Sequence, residues 1–166
     1  MIRYAQTRQL LKKLDRRYIK SQSADPTLSI IYSKAAILEV CGWLEEAFDE
    51  IAHNCVRERL RTLERRKFLE EKIKSTHGFE YKSKARPLIS HAIGVVRLLE
   101  IEKYLERSAS LTVLKTSCAN LNKLRQDAAH TSLSGRKMTY PAPSVAIQEF
   151  DKCLPIVKLL WTLVRE

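Results

Sequence analysis

Apolar side chains recur at helical spacing along most of this chain. Beyond Asp25-Pro26, an N-cap residue followed by proline, they alternate in steps of four and three residues, at Ile37, Cys41, Leu44, Phe48, Ile51 and Cys55. This spacing is typical of a helix with one packed face. Comparable patterns predict further helices over residues 3–20, 87–107, 111–130 and 144–164. The sequence therefore predicts an all-α fold, an antiparallel bundle of four to five helices.

Polar segments separate or extend these helices. The charged run from Arg57 to Lys74 is predicted to prolong the second helix outward, and Thr76 to Lys84 is predicted to be a polar loop. Thr131 to Pro143 is the clear loop that follows the fourth helix. Ser110 and Ser144 are the predicted N-caps of the last two helices.

Composition supports one helical domain spanning residues 1–166, large enough to bury a single core. The chain has only four Gly and five Pro, which favours helices over a sheet with many turns. Its 30 Lys+Arg exceed its 19 Asp+Glu, which gives a formal charge of +11. A field of that sign attracts polyanions, so nucleic acid is the first partner to consider. An acidic protein, anionic lipid or a solvated basic surface would account for the same charge.

The cysteines indicate neither a metal site nor a disulfide framework. They are widely spaced and form no C-x-x-C, so they are predicted to be buried thiols: Cys41, Cys55, Cys118 and Cys153. The amino terminus leads into a charged amphipathic stretch, and no window approaches 18 uncharged apolar residues. We therefore expect a cytoplasmic protein without a cofactor or membrane partner.

Arg125 and His130 are the candidate chemical groups, because they combine a phosphate-binding cation with a side chain that exchanges protons near neutral pH. Helical winding puts Arg125 inside the apolar stripe of its helix, where a guanidinium needs a partner. That partner is either Glu45, as an internal ion pair, or a phosphate at a cleft edge, and both can hold together. The winding points His130 to the other side. The two could share one cleft if the helix end loosens or a second chain contributes its motif.

Polar neighbours could support this pair. Gln126 and Asp127 lie on the face of His130, so either could fix its tautomer by hydrogen bonding. The alternative for His130 is a surface residue that complements the helix dipole.

The segment 121–130, LNKLRQDAAH, resembles the R-x4-H signature of HEPN-domain ribonucleases. The segment 37–51, which contains Trp43-Leu44-Glu45, is similar to a helix of the RiboL-PSP and related HEPN groups. HEPN nucleases usually carry Asn, Asp or His directly after the arginine, whereas this chain has Gln126. A glutamine still donates and accepts hydrogen bonds, so polar support of the motif survives.

The resemblance implies a metal-independent endoribonuclease that acts as a homodimer with a composite cleft. The RNA 2′-OH would attack the phosphate and leave a 2′,3′-cyclic phosphate. His130 would move the proton and Arg125 would stabilise the charge on the phosphate. The other residues assigned to the site fall into two groups, supporting residues Asn122, Gln126, Asp127 and Glu45, and RNA-contacting residues Arg136, Lys137 and Tyr140.

The resemblance also implies a toxin or defence effector, with an antitoxin or another defence-system protein as a possible partner. Two other functions remain open on the sequence. The first is a non-catalytic HEPN module that binds RNA or regulates, which the unusual Gln126 would suit. The second is a helical adaptor whose basic face meets an acidic protein.

Two further groups of residues are weaker candidates for a functional site. Glu50 and His53 form an E-x-x-H, the spacing of helical di-metal sites, but it stands alone and no metal is expected. The basic segment 57–86 interleaves Phe68, Phe79 and Tyr81 with Lys and Arg, which suits single-stranded RNA. An exposed helix with pairs of opposite charges along its surface would explain the composition of that segment equally well. His77, in the predicted loop, is expected to be solvated.

Overall fold

The computed structural model describes residues 2–59, 62–130 and 140–166, with the backbone alone at residues 56–59 and 130. Every regular element in this part of the chain is helical, which confirms the all-α prediction. The elements are α1 (Ala5–Ser21), α2 (Pro26–Arg59), α3 (Leu63–Ser75), a π-helical turn (Tyr81–Ala85), α4 (Arg86–Ile93), α5 (Val95–Arg107), α6 (Ser110–His130) and α7 (Pro143–Arg165).

Helix α2 is the centre of the fold and packs against α1, α3, α4, α6 and α7. The six apolar positions predicted for its packed face are each at most 3% exposed. Asp25 caps it as predicted, because its Oδ1 accepts from the backbone N–H groups of Thr27 at 2.9 Å and Leu28 at 3.3 Å.

Helix α1 lies antiparallel to α2. At one end the hydroxyls of Ser21 and Ser29 are 2.9 Å apart. At the other, the Trp43 indole donates to the carbonyl of Arg3 at 2.8 Å. The two hydrogen bonds tie the first helix to the central one at both ends.

Helix α7 covers another side of α2 with its broad apolar face. Phe150, Val157 and Leu160 on that face are fully buried. Phe150 meets Trp43 of α2 edge-on, with ring centroids 4.6 Å apart. The breadth of this apolar face is therefore explained by burial within the fold. The predicted cap at Ser144 is wrong, because α7 begins one residue earlier, after Ala142, without a side-chain cap.

The predicted third helix is divided in two at Gly94. This residue has φ 87° and ψ 153°, a region of backbone space that is nearly exclusive to glycine. Its N–H donates to the backbone carbonyl of Ser90 in α4 at 2.9 Å, and its carbonyl accepts from the backbone N–H of Leu98 in α5 at 3.2 Å. Gly94 therefore ends one helix and begins the next, and continuous apolar periodicity hid the break.

The charged run after Cys55 does not prolong α2 as predicted. Helix α2 ends at Arg59, and residues 63–75 form the separate helix α3. Leu69 and Ile73 of α3 pack in a small apolar cluster with Ala52 and Leu88. The few apolar residues of the run fold α3 back toward α2 and α4.

The segment predicted as a polar loop is buried at its aromatic positions. Phe79 and Tyr81 are 0% exposed, whereas the lysines around them face solvent. Tyr81 donates to the buried carboxylate of Glu102 at 3.0 Å. Arg86 donates two hydrogen bonds to the same carboxylate, from Nε at 2.8 Å and from Nη2 at 3.1 Å. Burial and the neighbouring Glu102 raise the pKa of the Tyr81 hydroxyl well above its usual value.

Residues Pro26–Cys55 of α2 are also long and apolar enough to cross a membrane, with a mean hydropathy of 1.3 in the most apolar window. Only 39% of that window is buried within the fold. The same test is passed by core helices, and α2 packs against five other helices. The expected cytoplasmic location stays a prediction.

Replacing Gly94 by alanine is expected to lower the free energy of unfolding by about 1–3 kcal/mol, because a Cβ disfavours this backbone conformation. The space itself is open, with nothing within 4 Å of the added atom. Gly42→Ala is the matched control, since Gly42 lies inside α2 and also has open space. It should gain about 0.5–1 kcal/mol through helix propensity. Urea unfolding of both variants measures the two values, and effects of the same sign would contradict this account of Gly94.

Candidate functional site

Arg125 lies where α6 faces α2, at the edge of the core. Its Nη1 is 3.4 Å from Oε2 of Glu45, and the two side chains are 38% and 23% exposed. The guanidinium also lies over the Phe79 ring, 5.8 Å from its centroid. Of the two partners that the sequence leaves open for Arg125, the structure therefore shows the ion pair with Glu45. Arg125 still reaches the surface.

Glu45 has a second partner on another segment. Its Oε1 accepts from the backbone N–H of Gly78 at 2.6 Å. Gly78 has φ 97°, in the region that favours glycine, and a Cβ there would lie 3.8 Å from Nη1 of Arg125. One carboxylate thus joins α2, α6 and the segment before the π-helical turn. We call Glu45, Gly78, Phe79 and Arg125 the Arg125 cluster.

The segment that carries Gly78 and Phe79 is fixed on its far side as well. Phe79 is buried in the main core. Glu80 accepts from the backbone N–H and the hydroxyl of Ser83 at 2.7 and 2.6 Å, which starts the π-helical turn. These hydrogen bonds hold the pKa of the Glu80 carboxyl below its usual value. The backbone beside Arg125 is therefore held by hydrogen bonds and by aromatic burial.

Asp49 lies one helical turn after Glu45, and the pKa of its carboxyl differs clearly from the usual value of an aspartate. Burial, helped by the negative charge of Glu45, raises the pKa of the Asp49 carboxyl from 3.8 to about 6. His77 acts in the opposite direction and Glu46 adds a smaller increase. Three charged groups, those of Glu45, His77 and Glu46, therefore act on the Asp49 carboxyl.

Cys41 underlies the cluster and is chemically quiet. Its thiol contacts the carbonyl of Leu121 across the α2–α6 interface, with an Sγ···O distance of 3.7 Å. Burial raises the pKa of Cys41 to about 12, although Arg125 acts to lower it. All four cysteines are buried and free, as predicted. Thiols with a raised pKa make poor nucleophiles, so Cys41 serves packing.

The supporting residues of the motif lie on different sides of α6. Asn122 is half-buried, whereas Gln126 and Asp127 are exposed. The carbonyl of Asp127 accepts from the Tyr140 hydroxyl at 3.0 Å. Tyr140 is only 8% exposed, so its ring is covered and it braces the end of α6. Its predicted contact with RNA has no exposed ring to support it and stays a prediction.

Three predicted site residues lie wholly or partly outside the described residues. His130 closes α6, but its side chain lies outside the described residues. Arg136 and Lys137, the predicted RNA-contacting cations, also lie outside them.

The structure gives less support to the two other candidate sites, the E-x-x-H pair and the basic segment 57–86. Glu50 and His53 line a surface groove with Arg3 and Asp49. Within the described residues, no group of three His, Cys, Asp or Glu side chains is arranged to hold a metal ion. Of the aromatics in the basic segment, Phe79 and Tyr81 are buried and only Phe68, 53% exposed, could stack on a base.

Sequence reasoning identified Arg125 and Glu45 but missed the segment between them. Composition alone predicts that His77-Gly78-Phe79 belongs to a polar loop. A glycine directly before an aromatic residue, between two helices, was the available indication that the backbone turns there and buries a ring. Comparisons with protein-family models, with curated proteins and with solved structures found no match for this chain.

Gly78→Ala is expected to loosen the Arg125 cluster. The φ of 97° disfavours alanine, and the backbone N–H would move away from Glu45. We expect a loss of about 1–2 kcal/mol in the free energy of unfolding. Amide hydrogen exchange at Phe79 and Glu80 should quicken, which mass spectrometry of peptides spanning residues 76–85 would detect.

Glu45→Gln is the companion variant. The amide oxygen still accepts from Gly78, so the segment should stay in place, and loss of the partly exposed ion pair should cost less than about 1 kcal/mol. If Glu45→Gln loosens residues 76–85 more than Gly78→Ala does, the ion pair and not the backbone conformation holds the segment.

Asp49 makes the stability of the fold depend on pH. Because its pKa is raised in the folded protein, its contribution to stability is fully present below about pH 4 and is lost as the pH rises through about 6. Asp49→Asn removes this dependence. The difference in the free energy of unfolding between the variant and the wild type should therefore shift in favour of the variant from pH 4 to pH 6.5. Denaturant unfolding at each pH measures it, and a constant difference would contradict the raised pKa.

Proposed function

We propose that this protein is a metal-independent endoribonuclease of the HEPN type, with Arg125 and His130 as its catalytic residues. The proposal rests on the position and the partial exposure of the Arg125 side chain. A guanidinium on the apolar stripe of α6 is positioned by Glu45 and Phe79, yet 38% of its side chain is exposed. The R-x4-H spacing adds an imidazole-bearing residue at the end of the same helix.

Arg125 is suited to hold a phosphate. A guanidinium carries five N–H donors in a planar fork, so an ion pair through Nη1 leaves donors for a second anion. Glu45 and Phe79 restrict the side chain before a substrate arrives, which lowers the conformational cost of binding. The same donors would stabilise charge that builds on the phosphate oxygens during attack by the 2′-OH.

His130 would supply proton transfer. In the proposed reaction the 2′-oxygen of the RNA bonds to phosphorus, the bond from phosphorus to the 5′-oxygen breaks, and a 2′,3′-cyclic phosphate and a 5′-OH result. An imidazole exchanges protons near neutral pH, so His130 is suited to take the proton from the 2′-OH.

The register of α6 supports a dimeric arrangement of the proposed site. The helix is regular through position 130, and five residues turn it by about 140°. The loosened helix end that sequence analysis allowed thus lies no earlier than position 130. Positions 125 and 130 of one chain then face different directions, and a second copy of the chain would bring its own position 130 toward Arg125. The proposal therefore includes a homodimer with a composite cleft.

The test is cleavage of a short RNA in EDTA by the pure protein. His130→Ala should reduce the rate by about 10²–10⁴-fold, as loss of a proton-transfer group does. Arg125→Lys should reduce it by about 10²-fold, because the charge remains but the planar fork is lost. His91→Gln is the matched control, since His91 is exposed on α4 and bonds the carbonyl of Pro87.

The other candidate functions are alternative outcomes of this test. RNA binding that survives His130→Ala, with no strand scission by the wild type, would show a non-catalytic binding module. Little salt-sensitive RNA affinity would favour the helical adaptor with an acidic protein partner. A toxin or defence role, with an antitoxin or related partner, follows only if cleavage is found.

A further inference from the structure

Helix α2 has a second apolar face, on the side opposite its packed face. In the first half of the helix, the packed side chains of Ile37, Val40 and Leu44 are at most 1% exposed. The second face has apolar or small residues in steps of three and four, at Leu28, Ile31, Ala35, Leu38 and Gly42. We call these five residues the outer stripe. Its three large side chains stay 39–40% exposed, although five other described helices pack against α2.

The spacing of the outer stripe fits contact with one other helix. Steps of three and four repeat every seven residues, which is the spacing of the seam between two helices that pack side by side. The five positions lie within about 80° around the helix, whereas a helix packed onto a core has a wider apolar face. Charged residues border the stripe, Lys34 on one side and Glu39 on the other. A membrane would favour a broader face without charges at both edges.

The surface of the stripe alternates large and small side chains. Ala35 and Gly42 are its small members, and together with Leu38 they line a shallow groove beside Thr7 of α1. The groove is open at Gly42, because a Cβ there would meet nothing within 4 Å. Small residues between large ones let two helices approach closely and let the large side chains of one fit between those of the other.

The charges beside the stripe favour α2 of a second copy as the facing helix. When two identical helices pack in parallel along a heptad seam, a flanking residue of one helix faces the residue five positions later on the other. Lys34 of each copy would then face Glu39 of the other, which gives two pairs of opposite charge about the two-fold axis. Within its own chain Lys34 also contacts the Tyr140 ring, with 5.7 Å from Nζ to the ring centroid. This contact does not neutralise the ammonium charge.

We propose that the outer stripe is the interface of a parallel homodimer, in which α2 of one copy packs against α2 of the other. Each large side chain of the stripe meets its own counterpart across the axis, and Ala35 and Gly42 allow the two helices to approach. The seam extends over residues 28–42, a length of about 22 Å. Such an interface is small, so the dimer depends on protein concentration.

The dimer also bears on the composite cleft, and this part of the inference rests on the proposed ribonuclease function. The next two seam positions after Gly42 are Glu45 and Asp49, so the apolar contact ends at the Arg125 cluster. Like charges across the seam resist close approach, so the two α2 helices diverge there and leave a gap. A parallel arrangement puts both Arg125 clusters beside this gap, whereas an antiparallel one would separate them.

Sedimentation velocity of the whole chain tests the interface, at protein concentrations from about 1 to 200 μM because a small interface is weak. The mass should rise from 19.2 kDa toward twice that value. Leu38→Glu should weaken association by about 100-fold or more, because each copy would bury an unpaired carboxylate in the seam. Leu99→Glu is the matched control and should associate like the wild type, since Leu99 lies on α5 and is 42% exposed, close to the 40% of Leu38. Circular dichroism checks that both variants fold.

Cross-linking tests the parallel arrangement. A parallel seam places position 28 of one copy beside position 28 of the other, whereas an antiparallel seam places the two at opposite ends. A short dimaleimide should therefore join two copies of Leu28→Cys. The wild type is the control, because its four cysteines are buried. Glu39→Lys should weaken association and its combination with Lys34→Glu should restore it. A dimer of Leu28→Cys that is not cross-linked would overturn the parallel arrangement.

The remaining outcomes separate this interface from other surfaces and from the ribonuclease function. A wild type that stays monomeric, or a Leu38→Glu variant that associates equally well, overturns the interface. The same holds if monomeric wild type binds vesicles of phosphatidylcholine and phosphatidylglycerol and Leu38→Glu does not, because the stripe then meets lipid. RNA cleavage is measured separately. A dimer that does not cleave RNA leaves the interface standing without the ribonuclease function, and a monomer that cleaves RNA does the reverse.

Discussion

The carboxylate of Glu45 is the contact on which the candidate site depends. One oxygen meets the guanidinium of Arg125 and the other accepts the Gly78 amide, so three segments distant in sequence converge on one side chain. A half-buried carboxylate with an unused oxygen would cost free energy, and both oxygens are used. The guanidinium is thereby aimed, the backbone of residues 76–80 is held, and α2 is joined to α6 at the surface end of their interface.

The sequence predicted one half of this arrangement and missed the other. Periodicity gives the direction of a side chain from a helix, so the positions on α6 and α2 are enough to make Glu45 a candidate partner of Arg125. The segment with Gly78 has no period to use. Its Lys residues dominate its composition, and the burial of Phe79 depends on packing between helices that local sequence does not encode. Contacts between a helix and an irregular segment need the folded structure.

The same distinction explains the errors in the fold. The all-α class, the core face of α2 and the cap at Asp25 follow from local spacing and were predicted. The division of the third helix was not, because Gly94 lies within an unbroken apolar pattern and only its backbone conformation ends α4. Helix α3 was merged with α2 because a run of charges favours a helix without showing where its axis changes direction.

The local charge at Arg125 differs from that of the whole chain. The chain is strongly basic, yet Glu45 pairs with Arg125, and Asp49 and Glu46 lie close to Glu45. A partly exposed ion pair contributes at most about 1 kcal/mol, whereas a hydrogen bond from a charged donor contributes about 1.5–3 kcal/mol. A phosphate bound through the donors that the pair with Glu45 leaves unused would add such bonds without breaking the pair. Glu45 would keep its bond to Gly78, so the cluster need not rearrange.

Protonation of Asp49 makes the local charge around Glu45 depend on pH. Its pKa of about 6 means that mild acid removes one of the negative charges gathered around Glu45. The field at the site then becomes more favourable to an anion, on top of the attraction from the basic surface. Mild acid therefore brings the local charge around Glu45 closer to the positive charge of the whole chain.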